Sequence, residues 1–133
     1  MTSASSRPRI TPRHLVLAWM FGFAGSLVIQ SVFQHWFAAN AFWGANHGWQ
    51  NEIAIWNLGM IGVLAGVLRA RSGIERHVLP GLAVLSLCFG INHAVALAAA
   101  PGSLSHIAGA TMNFLAVGLF GVWFATGRTE SAA

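Results

Sequence analysis

The side chains in this chain that can bind, ligate or move protons are few, and they cluster. Glu52, Asn57, Asn92, His93, His106 and Asn113 fall at corresponding ends of successive apolar segments, and Trp56 follows Glu52 by four positions. Four residues make about one helical turn, so Glu52 and Trp56 share a face of any helix that carries them. His106 and Asn113 are seven apart with Gly109 between them, which makes one stripe. His93 lies eight residues before Pro101 and His106 five after it. At about 1.5 Å of rise per residue their depths differ by only about 4 to 5 Å, so both imidazoles can reach a common ligand.

Three chemistries suit such a set. His93, His106 and Glu52, with His35 or His47, form an imidazole and carboxylate group of the kind that holds Zn, Cu or Fe, although no H-x-x-x-H, E-x-x-H or C-x-x-C spacing accompanies them. His93 and His106 on adjacent helices are also a candidate axial pair for haem. The third is a quinone, lipid or small apolar substrate held by His and Asn hydrogen bonds in an aromatic-walled pocket, as apolar sites with a few convergent polar groups work. Quinone ranks ahead of metal ion and haem. A purely structural account stands beside all three. Asn51 would cap a helix with Glu52 in its first turn, His106 would lie near a Ser103 cap, and Asn57, Asn92 and Asn113 would be interhelical glue. Cys88 reads as a small buried hydrophobe. No residue is assigned a catalytic role.

The elements that must position these residues are membrane helices. Of 133 residues 56% are hydrophobic and 8% charged, against about 25% charged in soluble domains. That excludes a soluble globule. Lysine is absent, which removes Schiff-base chemistry, and a single cysteine forms no internal disulfide. Four apolar segments, about 15–37, 50–69, 78–100 and 104–126, are each long enough to span. Arg7, Arg9 and Arg13 precede the first, Arg69, Arg71 and Arg76 join the second to the third, and Arg128 follows the fourth. The positive-inside rule then places both termini in the cytoplasm and the 38–49 loop and the Pro101-Gly102 turn outside. Short links predict a single-domain, all-α, integral-membrane four-helix bundle, up-down-up-down, with its polar residues in the outer half. The net charge of +4 comes from arginines at membrane flanks, which argues against nucleic acid as a partner. Ala39-Asn40-Ala41 resembles a signal-peptidase site, but the apolar stretch before it is too long for a signal peptide.

Smaller features complete the reading. Pro80 is expected in the first turn of the third long helix, and Ser103 at the cap of the fourth. Trp19, Trp36, Trp43, Trp49 and Trp123 suit an interfacial belt. The Trp-rich outer loop is either a lid over the polar cluster or a surface that meets a partner. Gly59, Gly62 and Gly66 make a smooth seam for close helix approach, within the chain's own bundle or against another membrane protein.

The stretch Trp49-Gln50-Asn51-Glu52-Ile53-Ala54-Ile55-Trp56-Asn57-Leu58-Gly59-Met60, followed by Asn92-His93 and His106-Ile107-Ala108-Gly109, resembles small bacterial four-helix membrane proteins of the DoxX-like kind over residues 15–126. The resemblance implies the four-helix plan and a preference for quinone-linked redox. The chain lacks the cysteine pair or second acidic residue that would tie it to one redox subfamily. The expectation is therefore a bacterial inner-membrane protein that binds a small apolar ligand or redox cofactor through Glu52, Trp56, Asn57, Asn92, His93, His106 and Asn113. The alternative is a non-catalytic accessory subunit, docked on a larger membrane complex or on a second copy.

Overall fold

A computed structural model describes residues 10–70 and 73–130, with side chains as far as Thr126. Arg7, Arg9 and Arg71, and the side chain of Arg128, lie outside the described residues. Five helices follow in order: α1 Pro12–Ser31, α2 Gln34–Ala39, α3 His47–Arg69, α4 Glu75–Ala99 and α5 Leu104–Glu130. Among the described residues all regular secondary structure is helical. Four helices are long and apolar enough to cross a membrane: α1 at 20 residues, α3 at 23, α4 at 25, and α5 over the 23 residues Leu104–Thr126. Helices suit that solvent because each satisfies its own backbone hydrogen bonds.

Local chemistry sets the helix ends. The hydroxyl of Thr11 accepts from the His14 amide, while the Thr11 amide donates back to His14 Nδ1, a reciprocal cap completed by Pro12 at the first position. The first apolar stretch, expected as one helix over 15–37, breaks after Ser31. Ser31 Oγ donates to the Leu27 carbonyl at 2.6 Å and Gln34 Nε2 to the Gln30 carbonyl at 2.8 Å. These side chains compete for the acceptors that a continuous helix would use, so polar residues bend the chain into α2. The third long helix begins at Glu75, so Pro80 lies inside it and not in its first turn.

Packing divides the molecule into two ends. α1 lies along α3 and α4 along α5, with α1 also touching α4 and α5. Leu15, Val16 and Trp19 of α1, Leu64 and Val67 of α3, and Leu79, Leu82 and Ala83 of α4 form the apolar core, which Phe120 and Trp123 of α5 join. Trp19, expected in an interfacial belt, is instead buried there and donates through Nε1 to Ser86 Oγ at 2.8 Å. At the same end Arg13 donates to the Leu68 carbonyl at 2.7 Å and lies 3.9 Å from Glu75, whose other oxygen accepts from the Gly73 amide. Outward faces stay apolar, with Phe21 78% and Ile55 70% exposed. Cys88, expected to be buried, is among the exposed residues.

Candidate functional site

The other end of the molecule holds the polar residues, and its centre is a pair of histidines beneath the 40–46 loop. The turn after α4 sets their spacing: Gly102 has φ +89°, a conformation that glycine adopts without strain. Ser103 then accepts from the His106 amide at 3.4 Å as α5 begins. His106, fully buried, faces His93 of α4 with 3.1 Å between their Nδ1 atoms. His93 can come this close because residue 109 is glycine. A Cβ there would lie 2.5 Å from both Cε1 and Nε2 of His93 and 2.6 Å from Cδ2. Those nearly equal distances mean that the imidazole rests on Gly109 by its face.

The outer loop is fastened onto this pair. The Phe42 amide donates to His106 Nε2 at 2.8 Å. Ser103 Oγ donates to the Asn40 carbonyl, and Ser105 Oγ to that of Phe37 at 3.5 Å. Trp43 sits over both rings, its centroid 4.5 Å from that of His106 and 5.3 Å from that of His93. Trp43 also meets Trp49 edge-to-face at 5.6 Å. Beside them opens a recess of about 330 Å³ lined by Trp43, Asn46, Trp49 and Asn92, two flat aromatic walls with two carboxamides. A larger groove of about 440 Å³ runs along α5, but Thr111 is the only polar residue in its wall. It offers no convergence of hydrogen-bonding groups.

A second polar cluster joins α1, α2 and α3. Gln34 Nε2 donates to Asn51 Oδ1 at 2.6 Å, which leaves Gln34 Oε1 as the acceptor for His47 Nδ1 at 2.8 Å. Gln50 Nε2 reaches the Gln34 carbonyl at 3.2 Å. Gln30 Oε1 and Gln50 Oε1 are buried without a partner. His35 packs edge-to-face on His47 at 5.3 Å.

The residues singled out by sequence thus separate. His93, His106 and Asn92 come together at the loop. Glu52 is exposed on α3. It is not in a first turn, because the helix starts at His47 and Asn46, not Asn51, supplies the cap by accepting from the Trp49 amide at 3.0 Å. Trp56 packs between Phe23 of α1 and Phe89 of α4, at 5.5 and 6.2 Å. Asn57 is buried and donates to Ser26 Oγ at 2.8 Å, an α1–α3 tie. Asn113 donates to the Gly109 carbonyl of its own helix at 2.8 Å. Among the described residues no three His, Cys, Asp or Glu side chains gather at one point, so His93, His106 and Glu52 do not form a ligand set. The 3.1 Å between His93 Nδ1 and His106 Nδ1 is the separation of a hydrogen bond. The Gly59, Gly62 and Gly66 seam is open, with nothing within 4 Å of a Cβ built at any of them.

Sequence reasoning had the Trp-rich loop as a lid over the polar cluster among its two alternatives, without singling out Trp43, and missed Gly109 as the seat of the pair and the Phe42 amide. Gly109, three residues after His106 and so on a neighbouring face, carried a usable signal. A backbone amide carries none. In comparison with known proteins, the chain matches no family model, no curated protein and no solved structure.

Proposed function

We propose that this protein binds a small, flat, largely apolar ligand in the recess lined by Trp43, Asn46, Trp49 and Asn92. Quinone is the first candidate, ahead of haem or a metal ion. One observation carries the reading: Trp43 rests on a histidine pair and at the same time walls a recess that contains carboxamides. Aromatic walls with a few fixed polar groups are how apolar ligands are oriented. The protein would sit in a bacterial inner membrane as an up-down-up-down bundle with both termini in the cytoplasm. Arg13, Arg69 and Arg76 support that orientation, since all lie at the end opposite the recess. The test is a photoreactive short-chain benzoquinone added to the protein in lipid nanodiscs. Labelling within residues 42–49 and at Asn92, suppressed by excess unlabelled quinone, is the expected result. Labelling spread along α5, or undiminished by competitor, would contradict the proposal.

A second reading has its own observation. The Gly59, Gly62 and Gly66 seam is unused by the chain's own helices, which favours an accessory subunit whose α3 meets another membrane protein or a second copy. Gly62→Leu should then release the partner in a pull-down from native membranes. A complex that survives both Gly62→Leu and Trp43→Ala would overturn it.

A further inference from the structure

We infer that the histidine pair is a proton-operated latch on the loop that carries Trp43: the neutral pair holds the loop down, and one added proton releases it. The consequence for a ligand rests on the binding reading above, whereas the latch itself stands on the pair and the loop alone. The argument begins at one backbone amide. The Phe42 N–H can only donate, so His106 Nε2, 2.8 Å away, is bare and accepts. A neutral His106 therefore carries its proton on Nδ1 and turns it toward His93 Nδ1, 3.1 Å away, which is bare in turn. Both bare nitrogens of the pair are thus already spent as acceptors.

A further proton has no idle nitrogen to occupy. On His106 Nε2 it would face the Phe42 N–H, donor against donor. On His93 Nδ1 it would face the His106 Nδ1–H, unless His106 moves its own proton to Nε2. The singly charged pair then shares one proton between the two Nδ1 atoms, a charge-assisted bond about twice as strong as a neutral one, and both of its outer nitrogens carry hydrogen. By either route Phe42 loses its acceptor. Among the described residues this is the one hydrogen bond from residues 41–45 to the long helices, with Ser103 holding the Asn40 carbonyl on one side and the Asn46 side chain capping α3 on the other. The loop is tied at both ends and once in the middle.

Nothing beside the pair balances the new charge. No third His, Cys, Asp or Glu side chain among the described residues gathers with it, and its ring contacts are to Trp43 and within the pair. Glu52 of α3 is exposed, His35 of α2 and His47 of α3 pack on each other, and Arg13, Arg69, Glu75 and Arg76 lie at the opposite end of the helices. His106 is fully buried, and holding an ion out of water costs more than the face of Trp43 returns to a cation. Opening the loop lets water reach the charge. Because Trp43 adjoins Phe42 and walls the recess, the same opening takes the recess apart.

The test uses full-length protein in nanodiscs with ¹⁵N-labelled histidine, followed from about pH 8 to about pH 4, a span that covers histidine titration in folded proteins. Amide protection factors, which remove the intrinsic pH dependence of exchange, should fall about tenfold at Phe42 in the same step in which nitrogen shifts show the pair gaining a proton. His106→Gln keeps an acceptor oxygen for Phe42 and takes up no proton, so its loop should stay protected throughout. His47→Gln alters the other cluster and should leave the step in place. Protection that persists once the pair is charged, a pair that stays neutral over the whole range, or a step that His106→Gln keeps or His47→Gln abolishes would overturn the latch. Decylubiquinone bound at the alkaline end should leave in the same step, and quinone that stays bound through it would overturn the coupling of latch to recess. A working latch with no decylubiquinone bound at any pH would overturn the ligand reading and leave the latch standing.

Discussion

The amide of Phe42 donates to Nε2 of His106 at 2.8 Å across 64 residues of sequence. This bond joins the outer loop to the start of α5. It also makes His106 Nε2 an acceptor, so a neutral His106 carries its proton on Nδ1, toward His93. Loop position and histidine chemistry are therefore one structural fact.

Removing the imidazole should free the loop. In His106→Ala the Phe42 amide and His93 Nδ1 both lose their partner, which costs about 1–3 kcal/mol for each group left buried and unsatisfied. Hydrogen exchange over residues 41–46 should accelerate while α1, α3 and the inner core stay protected. Unchanged exchange at Phe42 would show that the bond does not hold the loop.

Gly109 and Gly118 lie on the same helix and should respond in opposite ways to one added methyl. A Cβ at 109 meets the His93 ring at 2.5 Å, whereas a Cβ at 118 has nothing within 4 Å. Gly109→Ala should destabilise by about 1–3 kcal/mol, the usual effect of overpacking. Gly118→Ala should be neutral, or stabilising by about 0.5–1 kcal/mol through helix propensity. Reversible unfolding in mixed detergent measures both, and equal effects would contradict the seating of His93.

At the opposite end the buried bond from Trp19 to Ser86 ties α1 to α4. Ser86→Ala strands the indole N–H and should cost about 1–3 kcal/mol. Trp19→Phe made on top of it should cost less than Trp19→Phe alone, with a coupling of about 0.5 kcal/mol or more in a double-mutant cycle. Strict additivity would argue that the bond contributes nothing.

Asn46→Ala and Glu52→Gln give a further contrast. Asn46 caps α3 and its side chain also lines the recess, so its loss should cost about 1 kcal/mol. Glu52 is exposed, and Glu52→Gln should stay within about 0.5 kcal/mol of wild type. A larger effect at Glu52 would indicate a contact made only in the membrane or with a partner.

Much of the frame could be read from the chain, because apolar runs of spanning length have few other uses. Counting outward from Pro101 placed His93 and His106 at similar depth, and their rings meet. The break at Ser31 was hidden because side-chain bonds to the Leu27 and Gln30 carbonyls leave no mark in an apolar average. Glu52 stood out as the carboxylate beside the polar residues, yet one turn's difference in where α3 starts moves it out of the capping position and leaves it on an exposed face. Trp19 looked interfacial by position alone, and only its bond to Ser86 explains an indole in the core. The Phe42 amide had no sequence signature at all, since every residue but proline has one.

Native mass spectrometry of the untagged protein, extracted gently from its own membrane, tests the central claim most directly. Wild type should carry a discrete extra mass matching a quinone, retained at low activation energy and lost in Trp43→Ala and Trp49→Ala while each variant stays folded. A bare wild-type monomer, or an added mass that both variants keep, would contradict a ligand site at the Trp43 recess.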